Sequence, residues 1–308
     1  MKRFIIVGEV NVDIVVGGLH SLPVLGQELL CEDFQVLLGG SSANCGSWLS
    51  ALGANVDFLG KVGCDIFGEF VMRGLEHRGI GTANFIQDPD LRTGACISLS
   101  YPRDRALITY LGSITALCLD DINLDLLEEY DHLHSASIFL QHGLRPGLIE
   151  LYRAAKMAGL TTSLDCGWDP EELWELDTQN LLDCVDYFLP NEVEAQYLTS
   201  ASTTDQALTI LSQYADSVIV KLGEDGAVTQ QEGNVWRAPG FDVSVVDTTS
   251  AGDCFNAGFL YARIEQDRSI EDSMIFANAC GAIAVTTFGG ASEAPSSEEV
   301  DAFIEGKL

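Results

Sequence analysis

The sequence predicts an α/β fold, a doubly wound and mostly parallel sheet flanked by helices, with a small β-sheet element beside it. Three observations carry the prediction. Short apolar segments of strand length alternate with stretches bearing helix start and stop signals, and strands separated by helices pair in parallel. No internal repeat or low-complexity linker interrupts the pattern, so residues 1–308 read as a single domain. With 308 residues and 47% hydrophobic content, the chain can bury one large core.

The elements follow in order. Phe4, Ile5, Ile6 and Val7 make the first strand, and Gly39, Gly40, Ser41 and Ser42 lead into a helix over 43–52 that Gly53 closes. A strand at 56–59 comes next, then a run from Gly60 to Gly68 read mainly as a structural turn, then a helix over 67–77. A helix over 146–158 carries Pro146 in its first turn and Gly159 as its terminator. Strands are predicted at 161–165, 187–189 and 217–222, and a small-residue helix over 278–286. One region breaks the alternation. Residues 93–101 and 105–112 read as two strands joined by Pro102, Arg103 and Asp104, and 12–18 and 30–38 are also strand-prone. Segments of approximately 12–38 and 93–112 are therefore expected to form a small sheet standing off the main body.

Composition narrows the partners. Sixteen basic against 46 acidic residues give a net charge of −30, which excludes nucleic acid as a default partner because its phosphates would be repelled. The longest apolar runs are about strand length, so no membrane span is predicted and a cytoplasmic location is expected. Nine cysteines are scattered without a Cys-x-x-Cys pair, which argues against a disulfide framework and a zinc site. His132 and His134, lacking a third ligand nearby, read as surface histidines.

The most informative stretch runs from Asp247 to Phe259: Asp-Thr-Thr-Ser-Ala-Gly-Asp-Cys-Phe-Asn-Ala-Gly-Phe. A small-residue loop opens into an apolar helix, so free N–H groups and the positive end of a helix dipole converge where the carboxylate of Asp253 also stands. Attack of a hydroxyl on a phosphate needs donors for the moving negative charge and a carboxylate to take the proton. Near the other end, Asn11 and Asp13 stand at the carboxyl end of the first strand, with Gly39 and Gly40 allowing close backbone approach and Asn44 in the first turn of the next helix. Both side-chain types suit sugar hydroxyls.

These two stretches resemble the two signatures of the ribokinase-like, phosphofructokinase-B type carbohydrate kinases, and the resemblance covers essentially the whole chain. It implies a ribokinase-like fold whose small β-sheet closes as a lid. It also implies an anion hole at Ser250, Ala251, Gly252 and Asp253, with Asp253 as catalytic base. Ser250 stands where Gly or Ala is more usual. The resemblance places the acceptor hydroxyls at Asp13, Gly39, Gly40 and Asn44, with Asn11 beside them. Asn191 and Glu194 match the family's Asn-x-x-Glu motif. Three residues apart, they would share a helix face able to hold hydrated Mg²⁺ and through it the nucleotide phosphates. Lys221, Gly223 and Gly226 match a Lys-x-Gly-x-x-Gly loop beside the nucleotide, and Asn278 begins the helix ending before Phe288, Gly289 and Gly290 near the adenine. A monovalent cation, often K⁺, is implied near Asp247 and Thr249.

The expected activity is therefore ATP- and Mg²⁺-dependent phosphorylation of a hydroxyl on a neutral sugar or sugar-like small molecule. Asp165, Cys166, Gly167, Trp168 and Asp169 stand where family members acting on sugar acids carry Asp-x-Asn-x-Arg, and no arginine is present to grip a carboxylate. Arg103 and Arg105 lie in the small sheet, and Trp168 would either stack on a ligand ring or enter the core. Alternatives are a nucleoside kinase of the same fold and a sensor that binds sugar or nucleotide without catalysis. A homodimer through the lid strands is the expected protein contact, because exposed strands can pair with a second copy.

Overall fold

A computed structural model describes residues 1–101, 105–231, 233–287, 289 and 294–307. The first half carries β1 (Arg3–Val7), β2 (Asn11–Gly17), β3 (Asp33–Gly39), α1 (Ser41–Leu52), β4 (Asn55–Leu59), β5 (Lys61–Gly63), α2 (Ile66–His77), β6 (Ile86–Asp88), β7 (Ala95–Ser100), β8 (Arg105–Tyr110) and β9 (His132–Ser135). After it come α3 (Leu148–Met157), β10 (Thr161–Leu164), α4 (Thr178–Leu182), β11 (Tyr187–Phe188), α5 (Glu192–Thr199), α6 (Thr204–Leu211), β12 (Ser217–Lys221), β13 (Ala227–Gln231), β14 (Asn234–Ala238), α7 (Ala251–Leu260), α8 (Ile270–Ala284) and α9 (Ser297–Ile304).

Among the described residues the main sheet has eight strands in the order β14-β13-β12-β11-β10-β9-β1-β4. Six of them, from β12 to β4, run in parallel, and β13 and β14 add an antiparallel hairpin at one edge. Both faces are buried. Along β1, Phe4 and Ile6 enter one core with Trp48, Phe58 and Phe259, while Ile5 and Val7 enter the other with Leu133, Tyr152 and Phe188. Side chains alternate across a strand, so a strand covered on both faces favours a continuous apolar run, and β1 has one from Phe4 to Val7.

The second sheet has the order β3-β2-β7-β8. Its register puts Asn11 opposite Gly39 and Val12 opposite Ala95. One face stays partly uncovered: Phe34, Val36, Ile108 and Tyr110 share it and are exposed large apolar side chains, while the exposed Leu107 points to the opposite face. The run from Gly60 to Gly68 is only partly a turn, because Lys61–Gly63 form β5 paired with β6 and α2 begins at Ile66. Lys61 pairs with Asp88 and Asp121, and Asp65 caps α2 and also accepts from Thr93 just before β7. The Pro102–Asp104 turn lies outside the described residues, as does the side chain of Arg105.

One reading is corrected. His132 and His134 are wholly buried, because β9 is a central strand and both rings pack against its neighbour β10. His132 bonds Thr161 Oγ1 at 2.7 Å and Ser163 Oγ at 2.8 Å, and His134 bonds Ser163 Oγ at 2.7 Å. Burial pushes both imidazoles down, His134 to about 4, so they are neutral spacers of the polar sheet interior.

Candidate active site

Parallel strands feed their carboxyl ends into one crevice, and there the loops after β1, β10 and β12 meet the N-termini of α1 and α7. The loop before α7 is braced by Asp247, whose Oδ1 accepts the Thr249 N–H at 2.9 Å and the Thr249 hydroxyl at 2.6 Å. Its Oδ2 accepts the Gly289 N–H at 3.0 Å. Ser250, the residue before the helix, has φ 62° and ψ 5°, the left-handed conformation that glycine adopts without strain. That conformation turns the chain so that the first amides of α7 are left without helical acceptors.

Asp253 sits in this first turn. Asn44 Nδ2 donates to Asp253 Oδ2 at 3.1 Å and to Ser250 Oγ at 2.8 Å, joining the two halves of the chain. Burial pushes the Asp253 carboxyl up to about 6; the negative charge of Asp165 adds to this, and Asn44, Lys221 and Ser41 oppose it. A carboxylate poised near neutrality can both exist as a base and accept a proton.

Beside it, Asn11 Nδ2 donates to Asp13 Oδ1 at 2.7 Å. Gly39 and Gly40 are required here. A Cβ on Gly39 would collide with the Asp13 carboxylate, and Gly40 has φ 98° with Val10 Cα only 3.0 Å from where its Cβ would stand. Asn11 and Asn44 are buried.

On the other side of Asp253 lies a cavity of about 720 Å³ lined by Lys221, Gly223, Gly226, Gly252 and Asn278 together with apolar Val243, Val245 and Phe255. Asn278 donates to the carbonyls of Ala238 and Pro239, at 3.1 and 3.0 Å, so its amide fixes the wall after β14. Phe288 and Gly290 lie outside the described residues.

Asn191 and Glu194 lie together at the start of α5 and bond each other's backbone. Asn191 is the N-cap of α5: its Oδ1 accepts the Glu194 N–H at 2.9 Å, and Glu194 Oε2 accepts the Asn191 N–H at 2.8 Å. Glu194 is nevertheless buried, and its carboxyl is pushed up to about 7 by burial and by Asp165. Asp165, Cys166 and Glu194 offer ligand atoms all within 4.8 Å of one another. Burial keeps the Cys166 thiol protonated, which leaves carboxylate oxygens, the ligand type that Mg²⁺ takes.

Sequence reasoning missed three participants. Asp165 Oδ2 lies 2.6 Å from Lys221 Nζ and 2.5 Å from Asn256 Nδ2, and Asn256 Oδ1 accepts from Lys221 at 3.2 Å. Asn256 is three residues beyond Asp253 on one helix, a spacing that could have found it. Glu9, buried, accepts the Ser42 N–H at 3.2 Å and bonds the Ser42 hydroxyl, and nothing local in the sequence marks it. Trp168 does not enter the core: it is 45% exposed and meets Trp174 and Tyr197 edge-on.

The sequence profile of the pfkB family carbohydrate kinases matches residues 1–297. The chain belongs to this family. Among its pfkB relatives, a ribokinase of Haemophilus influenzae is 28% identical over 315 residues, covering 99% of each chain. Fructokinase-2 of Oryza sativa subsp. japonica is 30% identical over 277 residues, covering 84% of this chain and 82% of the relative. The structure of Arabidopsis thaliana ribokinase complexed with ribose and ATP superposes with a TM-score of 0.85 at 25% identity over 99% of each chain. The ribokinase-like α/β fold predicted from sequence is thus present, and the nucleoside-kinase alternative is not favoured by this set of relatives.

Proposed function

We propose that the protein transfers the γ-phosphoryl group of ATP to a hydroxyl of a neutral sugar or sugar-like alcohol, with Asp253 as general base. The observation that carries this reading is the Asn44 bridge: one amide from the helix beside Asn11 and Asp13 holds the carboxylate that begins α7. An acceptor held by Asp13, Asn11, Asn44 and the backbone of Gly39 and Gly40 would meet a phosphate held at the start of α7, with Asp253 between them. Asp253 takes the hydroxyl proton as the oxygen attacks phosphorus and the bond to ADP breaks. The amides of Ser250, Ala251, Gly252 and Asp253 receive the charge on the phosphoryl oxygens.

The nucleotide occupies the 720 Å³ cavity, with Lys221, Gly223 and Gly226 beside its phosphates and Asn278 shaping the wall. Mg²⁺, when bound, neutralises charge between the β- and γ-phosphates. Glu194 would organise it through water, and Asn191 would hold Glu194 in place rather than contact the ion. A monovalent cation such as K⁺ would sit at Asp247 and Thr249, where the loop already gathers oxygens. The four-stranded sheet acts as a lid that excludes water as a competing acceptor, and its exposed apolar face, with Phe34, Val36, Ile108 and Tyr110, fits a homodimer contact. No helix among the described residues is long and apolar enough to cross a membrane. A cytoplasmic location, where ATP is at hand, accompanies this reading.

The test is ADP release with Mg-ATP across neutral sugars, sugar acids and nucleosides, with Asp253→Asn alongside. Release with a neutral sugar that drops by about 10²–10⁴-fold in the variant is expected. Unchanged turnover in the variant would remove Asp253 from its role.

A further inference from the structure

Lys221 stands where the dipole of α7 by itself disfavours a cation. Its Nζ lies 3.5 Å from where a Cβ on Gly252 would stand, so the ammonium sits against the first turn of α7. A helix N-terminus is itself positive, and a cation placed there is repelled. Asp165, 2.6 Å away, offsets the repulsion, and Glu194 and Asp253 add to the field that keeps Lys221 charged. Two positive groups converging on one point, held together by buried carboxylates, make physical sense when an anion arrives between them.

The donor geometry agrees. An ammonium has three N–H donors. Asp165 Oδ2 and Asn256 Oδ1 take two, at 2.6 and 3.2 Å, and Asn256 in turn donates to Asp165 at 2.5 Å. Among the described residues no other acceptor takes the third N–H, which is left for a ligand. Lys221 and Gly252 both line the cavity, whose other charged lining residues, Glu224, Asp225 and Asp242, are all acidic. In a chain of net charge −30, the cavity wall thus offers a phosphate a single side-chain cation among the described residues.

Building on the kinase reading above, we infer that Lys221 is a catalytic residue that contacts the transferred phosphoryl group, and that Asp165 and Asn256 are positioning residues that aim it. Lys221 stays protonated throughout. The acceptor proton goes to Asp253, the new bond joins acceptor oxygen to phosphorus, and the electron pair of the broken bond leaves on the β-phosphate of ADP. In this inference the ammonium meets the phosphoryl oxygens most closely in flight, between ADP and the acceptor. The contact is therefore stronger in the transition state than in the bound ground state, and it raises kcat more than it lowers KM.

The experiment measures kcat, both KM values and the calorimetric affinity for ATP in Lys221→Met, Lys221→Arg and Asn256→Ala, with Asp253→Asn in parallel. Lys221→Met is expected to lose about 10²–10³ in kcat, the loss typical of removing one preorganised transition-state donor, with ATP affinity changed by less than about fivefold. Lys221→Arg should recover part of the loss, and Asn256→Ala should lower kcat by about tenfold while leaving KM for ATP nearly unchanged. Removing one partner of a buried ion pair can unfold a protein, so Lys221→Met/Asp165→Asn, which leaves no unpaired charge, is the second variant. A folded double variant that stays slow supports the inference, and one that regains wild-type kcat overturns it. Lys221→Met that weakens ATP binding at constant kcat also overturns it. If Asp253→Asn is inactive while Lys221→Met turns over normally, the inference alone falls; if Asp253→Asn stays active, the kinase reading falls with its base.

Discussion

Asn44→Ala tests how the base is tuned. In the wild type, burial and Asp165 push the Asp253 carboxyl up to about 6 while the Asn44 amide, 3.1 Å from Oδ2, pulls it back down. A hydrogen bond to a charged group contributes about 1.5–3 kcal/mol, and one pKa unit is about 1.4 kcal/mol, so outright loss would raise the pKa by about 1–2 units. Asp253 is only half-buried, and water entering the space of the deleted amide would replace part of the bond, so a rise of about one unit is expected. A base works deprotonated, so its activity is lost as pH falls through its pKa. At pH 5 the variant should have about ninefold less ionised Asp253 than the wild type, and at pH 8 nearly the same fraction. The assay is kcat/KM for the best acceptor between pH 5 and 9. Loss of the sugar contact of Asn44 lowers the whole curve, while loss of the tuning bond moves its acid limb upward. Parallel profiles with an unshifted limb would refute the electrostatic coupling.

Further outcomes follow from the same physics. Burial pushes the Glu9 carboxyl up to about 8 against the opposing bonds from Ser42, so its contribution to stability is full below pH 4.5 and is lost as pH rises through 8. Glu9→Gln should therefore melt a few degrees above the wild type at pH 8.5, with the difference vanishing near pH 4.5; equal melting temperatures at both would refute it. By the same sign, ionised Asp253 opposes folding above pH 6, so Asp253→Asn should raise the melting temperature at pH 8 even as turnover collapses. Gly40→Ala should cost more than about 2 kcal/mol in denaturant unfolding, because φ 98° and backbone atoms of Val10 and Glu9 at 3.0 and 3.1 Å leave a Cβ no relief.

Much of this was legible in the chain itself. The apolar run of β1 and the alternation of strand and helix call for a parallel sheet covered on both faces, because periodicity reports burial directly. The loops with chemistry were legible too, since glycines act over a few positions: Gly40 has φ 98° where the chain turns into α1, whereas Ser250 takes a positive φ before α7 without the freedom of glycine. At Asn191 and Glu194 the spacing put both residues at one helix start, and the capping box between them is seen in the coordinates.

Contacts between distant residues were decided by tertiary structure alone. Asn44 and Asp253 are 209 positions apart, Asp165 and Asn256 are 91 apart, and Asp165 and Lys221 are 56 apart. Each pair meets because strand order in the sheet sets which carboxyl ends are neighbours, and that order depends on how whole helices pack, which a short window of residues does not encode. The burial of His132 and His134 has the same origin, since a polar strand looks like an edge until its neighbours are known. Sequence determined which groups the chain possesses and the local backbone that presents them. Only the fold determined which carboxylates share one desolvated space, and it is that sharing that lifts Asp253 toward neutrality and gathers Lys221 beneath α7.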